Sequence, residues 1–114
     1  MVTSPAGNEG LLGSYRTTIS AIEAGDRPTL AATWLLSFTS DGTLIASRPG
    51  FTALHATYEA TATTFTTTDA ECGLSVQGVY GWKTEGDSLV LTKMKDACDA
   101  RAIIFTAHPL TRQA

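Results

Sequence analysis

Few side chains in this sequence are of a type that does chemistry, and those few fall into no reaction motif. The two histidines, His55 and His108, stand apart from each other and from the cysteines, so no Cys/His set holds zinc. Gly-x-Ser-x-Gly, His-Glu-x-x-His, a phosphate-binding glycine loop and a dinucleotide fingerprint are absent. Hydrolysis, phosphoryl transfer, hydride transfer and metal chemistry therefore lack their parts, and no cofactor or metal is expected. Asp69, Glu71, Asp96, Asp99 and Arg101 read as a solvated rim, too widely spaced for a calcium cage. Cys72 and Cys98 are too far apart for a CxxC redox or zinc half-site. They are either small thiols or one disulfide, which would close a loop of about 25 residues and contribute about 3 kcal/mol in the chain-entropy description. What remains for an enzyme is catalysis by shape. A cavity that folds a flexible apolar substrate into a reactive conformer lowers a barrier by itself, and a Tyr or Trp hydrogen bond to a carbonyl adds to it.

The composition narrows the setting. A chain of 114 residues supports one core. Charged residues make up 17%, short of the roughly 25% of a typical soluble chain. The hydrophobic share of 43% supplies a core but no membrane span. A net charge of −3 argues against nucleic acid as a partner, since such binders carry a basic footprint. Residues 1–10 have neither the basic nor the apolar region of a secretory signal and read as a flexible arm, with a single domain over 11–114. The expected location is cytoplasmic, or secreted if a signal peptide has been removed.

The elements that must position any site are strands. Thr, Val, Ile and aromatic residues alternate with period two, and no segment keeps a helical period over three turns. Strands are predicted at 13–20, 32–39, 43–47, 53–60, 63–68, 77–84, 88–95 and 101–108, the last ended by Pro109. Such a sheet has exposed edges unless it closes, so the predicted fold is an all-β, eight-stranded antiparallel up-and-down barrel, with a β-sandwich as the alternative. Tight turns at Ser40-Asp41-Gly42, Thr61-Ala62 and Glu85-Gly86-Asp87 fall at one end. The longer loops 21–31, 48–52, 69–76 and 95–100 fall at the other. The layout is a cup with a closed base, and both cysteines sit in mouth loops, where a disulfide would tie two of them together.

Gly13-Ser14-Tyr15 resembles the Gly-x-Trp signature of lipocalins, with Tyr15 in place of the tryptophan. The run from Leu11 to Arg112 is similar to small bacterial lipocalin-like (calycin) proteins. The resemblance implies a calyx that binds a small apolar molecule, often without chemistry. It also implies that Arg112 packs over the Tyr15 ring at the closed end.

The apolar face of the strands places Tyr15, Trp34, Phe38, Tyr58, Phe65, Tyr80, Trp82 and Met94 inside as candidate substrate-binding residues, with Leu36 and Leu54 beside them. No catalytic residue is assigned. Ala46, Ala56, Gly78, Thr92 and Ala107 are small neighbours that leave space. His55 alternates outward, and His108 falls at the base end. Two functions suit this cup. The first is a cofactor-free cyclase that templates ring formation, a cycloaddition, in a polyene or polyketide-like substrate. That reading is an analogy of architecture with small bacterial β-barrels that act as cyclases in polyketide pathways. The second is a non-catalytic, lipocalin-like carrier of a small hydrophobic molecule. The expected partner is thus a small apolar molecule, with no nucleic acid and no membrane. The low charge and the closing seam make a homodimer a candidate assembly.

Overall fold

The computed structural model describes residues 10–69, 72–73 and 76–113, so the arm expected over 1–10 lies, but for Gly10, outside the described residues. Period-two patterning becomes eight strands: β1 (Gly13–Ile19), β2 (Ala32–Phe38), β3 (Thr43–Ser47), β4 (Leu54–Ala60), β5 (Thr64–Asp69), β6 (Gly78–Glu85), β7 (Ser88–Lys95) and β8 (Leu110–Arg112). Each pairs antiparallel with the next, and β8 returns to β1 through Tyr15↔Arg112 and Arg16↔Thr111, so the barrel is closed. Closure excludes the sandwich. The tight turns join β2 to β3, β4 to β5 and β6 to β7, and the long connections gather at the opposite end.

The eighth strand differs from the sequence expectation. Residues expected as strand 101–108 form a helix, α2 (Asp99–Thr106), after the single-turn helix α1 (Ala21–Ala24) and a 3₁₀ turn at Pro28–Leu30. The reason lies in its apolar run. Arg101, Ala102, Ile104 and Phe105 are its buried residues, the i, i+1, i+3, i+4 stripe of a helix face, which reads as a continuous strand when taken without its turn. Asp99 in the first turn favours the helix N-terminus, and Pro109 follows the end of a helix rather than of a strand. True β8 has only three residues and pairs near the base. α2 packs against both β7 and β1 and covers the rest of the seam. The open edge that favoured a homodimer is thereby filled. His108 is not at the base; its Nε2 lies 2.5 Å from Glu23 Oε2 beside α1.

The lower barrel is solid. Phe38 meets Tyr15, Tyr58 and Phe65 edge-on, with centroids 6.1, 5.3 and 5.3 Å away. Phe65 stacks on Tyr80 at 5.5 Å, and Phe105 from α2 closes edge-on against both rings. Such pairs contribute about 0.5–1.5 kcal/mol each beyond the area they bury. At the base, the Arg112 guanidinium lies 4.9 Å from the Tyr15 ring centroid. Its Nη2 donates to the Tyr15 hydroxyl at 2.7 Å and to the Gly10 carbonyl at 2.8 Å. The contact implied by the resemblance is therefore present. Gly13 permits it: at φ +130°, any Cβ there would stand 2.7 Å from Arg112 Nη1.

One residue expected inside is outside. β6 and β7 slip register, with Val79 opposite Lys95 but Tyr80 opposite Lys93. Met94 is the extra residue of this irregularity, and 61% of it is exposed. The alternation of β7 itself accounts for this: Leu89 and Leu91 hold the buried face, so Met94, an odd number of residues from both, falls on the outer one despite its apolar side chain. Thr92 is exposed as well and leaves no space inside.

Candidate functional site

In the mouth half of the barrel a cavity of about 250 Å³ lies between the β2–β5 wall and α2. Its origin is visible in the ladder. Leu36 pairs with Ala46, which pairs with Leu54; Phe38 pairs with Leu44, which pairs with Ala56. Each alanine stands in a row of large side chains, and the volume it lacks becomes space. Trp34 continues the inward alternation of β2 toward the mouth, and its Nε1 donates to the Leu30 carbonyl at 2.9 Å. From the seam side, Ile104 and Phe105 of α2 complete the lining.

The Tyr hydroxyls, Trp indoles and Thr67 hydroxyl around the cavity are already engaged. The hydroxyl of Tyr58 donates to the Thr39 carbonyl at 2.5 Å, and that of Tyr80 to Asp96. Trp82 Nε1 donates to the Thr61 carbonyl at 3.1 Å, and Thr67 Oγ1 to the Thr57 carbonyl at 2.8 Å. Burial pushes the Tyr80 hydroxyl far above the ordinary phenol range, and its carboxylate partner Asp96 adds to the shift. Burial likewise raises Tyr15, against the opposing charge of Arg112, and raises Tyr58 with help from Asp41. All three phenols are therefore neutral at neutral pH.

The expected solvated rim is in part a buried ion-pair cluster. Arg101 Nε and Nη2 donate to the two oxygens of Asp96, both at 2.8 Å. Nη2 also reaches the Val76 carbonyl at 2.9 Å, and Nη1 reaches Asp69 Oδ2 at 3.2 Å. Burial disfavours the Asp96 charge, but bonds from Arg101, Tyr80 and the Cys98 amide outweigh it and hold the carboxyl below its usual range. Burial also acts against the Arg101 cation, and Asp96 and Asp69 together hold it charged. Cys72 and Cys98 form a disulfide that lines the cavity beside this cluster. Glu71 lies outside the described residues.

Two further arginines stand at the mouth, Arg27 and Arg48. The Arg48 guanidinium lies 4.6 Å from the Trp34 ring centroid and 3.7 Å from that of Phe51, and it donates to the Thr29 carbonyl. Arg48 thereby links the β3–β4 loop to the β1–β2 loop.

Of the eight residues expected to bind substrate, Trp34 alone lines the cavity. Tyr15, Phe38, Tyr58, Phe65, Tyr80 and Trp82 are in the buried core, and Met94 is on the outer surface. Among the small residues, Ala46 and Ala56 do open space, whereas Gly78 is packed against Asp96 and Arg101. Arg27, Arg48, Ile104 and Phe105 were not expected. The two arginines did carry a signal: Arg27-Pro28 and Arg48-Pro49 both stand in mouth loops, and a residue before proline is held out of the helical region. The two α2 residues were hidden by the strand assignment. Among the described residues no helix is long and apolar enough to cross a membrane. No family model, curated protein or solved structure matches the chain.

Proposed function

We propose that this barrel is a non-catalytic binding protein that takes a small apolar molecule into its mouth-half cavity. The observation that carries the reading is the character of that space: a wall of Leu, Ala and Ile side chains with Trp34 at its edge, enclosed by α2. A concave apolar site with a few polar groups at one end is the usual form of a small-molecule pocket. The lipocalin-like resemblance of Gly13-Ser14-Tyr15 and Arg112 points the same way.

The cyclase reading needs the same cavity and more from it. A templated cycloaddition gains from a donor aimed at the substrate. Here the Tyr hydroxyls and Trp indoles are bonded to the protein itself. At about 250 Å³ the space also falls short of the roughly 300–1,000 Å³ of pockets for larger ligands. A compact ligand suits it better than a macrocycle. The Cys72–Cys98 disulfide supports an oxidising compartment as the place of work, in preference to the cytoplasm.

Titration with octan-1-ol, read by tryptophan emission, tests the binding. Saturable quenching is expected for the native chain and its loss for Ala56→Phe, which fills the cavity. Failure of the native chain to bind overturns the reading. Incubation with a linear polyene separates the alternatives, since ring formation faster than in buffer alone would favour the cyclase.

A further inference from the structure

We infer that the ligand is a small apolar acid, with its hydrocarbon body in the cavity and its carboxylate held at the mouth by Arg48, with Arg27 beside it. This inference rests on the cavity being a binding site and names the class of molecule that fills it.

The charge around the cavity is the first reason. The chain as a whole carries −3, yet three arginines and one carboxylate, Asp69, line this space. Arg101 is not the group that recognises a ligand, because Asp96, Asp69 and the Val76 carbonyl already take its donors. Among the described residues, Arg27 pairs only with the outward neighbour Asp26 at 3.6 Å, and that carboxylate is 95% exposed, so solvent screens the pair. Arg48 makes no ion pair among the described residues. Among the described residues, the mouth therefore has an uncompensated positive charge beside an apolar space. A cationic ligand is repelled there, and a neutral one leaves the charge unused.

The second reason is the presentation of Arg48. Trp34 and Phe51 both pack on its guanidinium. Rings that cover the faces of a guanidinium leave its edge, and the edge carries the N–H donors. One is used by the Thr29 carbonyl. A carboxylate is the planar acceptor that matches the remaining fork, and arginine holds it through charge-assisted bonds that a hydroxyl does not form. The neighbouring rings restrain the Arg48 side chain, and Pro49 its backbone, before the ligand arrives, which lowers the entropy of capture. The apolar wall then sets the rest of the ligand: a short alkyl or aryl body with no second charge.

The test compares matched pairs, octanoate with octan-1-ol and decanoate with decan-1-ol, at neutral pH and low salt, by calorimetry and tryptophan emission. The acids are expected to bind about tenfold more tightly than the alcohols, the scale of a charge-assisted hydrogen bond. Arg48→Met should bring the ratio near one while alcohol binding persists, which also shows that the variant is folded. Arg48→Lys should keep part of the preference. Added salt should weaken the acids alone. Equal affinity of acid and alcohol for the native chain, or a preference unchanged in Arg48→Met, overturns the inference and leaves the cavity reading intact. Binding of neither member of either pair overturns both.

Discussion

Arg101 and Asp96 face each other through two parallel hydrogen bonds of 2.8 Å, with 4% and 0% of their side chains exposed. The pair ties the first turn of α2 to the β7 exit, and through the Val76 carbonyl and Asp69 it reaches the β5–β6 connection as well. It therefore fixes the helix that closes the cavity. Asp96→Asn keeps the shape but leaves a buried guanidinium short of a charge. A buried pair broken from one side costs about 3–5 kcal/mol. Urea denaturation should show a loss of that order, whereas Lys83→Ala, whose pair with Glu85 is exposed on both sides, should show almost none.

Acid should weaken the same contact. The folded Asp96 carboxyl titrates below its ordinary value of 3.8, so its contribution is complete above that pH and drains away as pH falls through the lower folded value. The expected result is a steep loss of stability below about pH 4 in the native chain. Asp96→Asn, less stable throughout, should lose less over that interval when the two are followed by thermal unfolding.

Alkali should reveal the phenols. All three tyrosines are shifted upward from 10.0 in the folded chain. Their neutral forms are favoured by folding, so this contribution is full below pH 10 and is lost as pH rises through the folded values. Tyrosinate absorbance at pH 10 should stay well below half of that in urea, where the chain is unfolded, and should rise together with unfolding. Half ionisation at pH 10 with the fold intact would contradict the burial described here.

The strand alternation was the most legible part of the sequence, because seven of the eight strands have one face buried and leave a period-two imprint. Tight and long connections sorted the two ends for the same reason. α2 was illegible because its eight residues carry a nearly continuous apolar run, and a stripe of two turns is too short to display its period. Met94 is apolar but lies on the outer parity of β7, whose inner face is marked by Leu89 and Leu91, so its residue type pointed inward where its position did not. At the site, the aromatic residues that drew attention as ligand contacts prefer one another, and they fill the base. The cavity comes instead from Ala46 and Ala56, whose contribution is the absence of volume. The buried Asp96–Arg101 pair looked like surface because charge spacing along the chain does not show burial.

Gly78 makes room for that pair and gives it an independent test. A Cβ on this residue would stand 2.6 Å from Asp96 Oδ2 and 3.0 Å from Arg101 Nε, so the approach of β6 to the cluster depends on hydrogen there. Gly78→Ala should push the carboxylate off the guanidinium and destabilise the fold by about 1–3 kcal/mol, as overpacking does. Combined with Asp96→Asn it should add much less than its separate cost, since both act on one contact. Full additivity in denaturant would mean that the glycine serves some other packing need.

The disulfide should affect binding more than its stability share suggests. Cys72 and Cys98 are 26 residues apart, and a bridge across that span contributes about 3 kcal/mol by restricting the unfolded chain. The bridge also anchors Cys98, the residue that caps α2, to the β5–β6 connection, and both cysteines line the cavity. Reduction, or Cys72→Ser with Cys98→Ser, removes this anchor while Arg101 still holds the helix turn. The barrel should remain folded at room temperature, as shown by an unchanged far-ultraviolet spectrum. Hydrogen exchange should quicken in α2 and the adjoining loops ahead of β1–β4, because local opening becomes easier than global unfolding. Ligand affinity should fall at least severalfold, since ordering the loosened rim now opposes binding. An affinity unchanged on reduction would show that the strands alone define the cavity and that α2 needs no covalent anchor to close it.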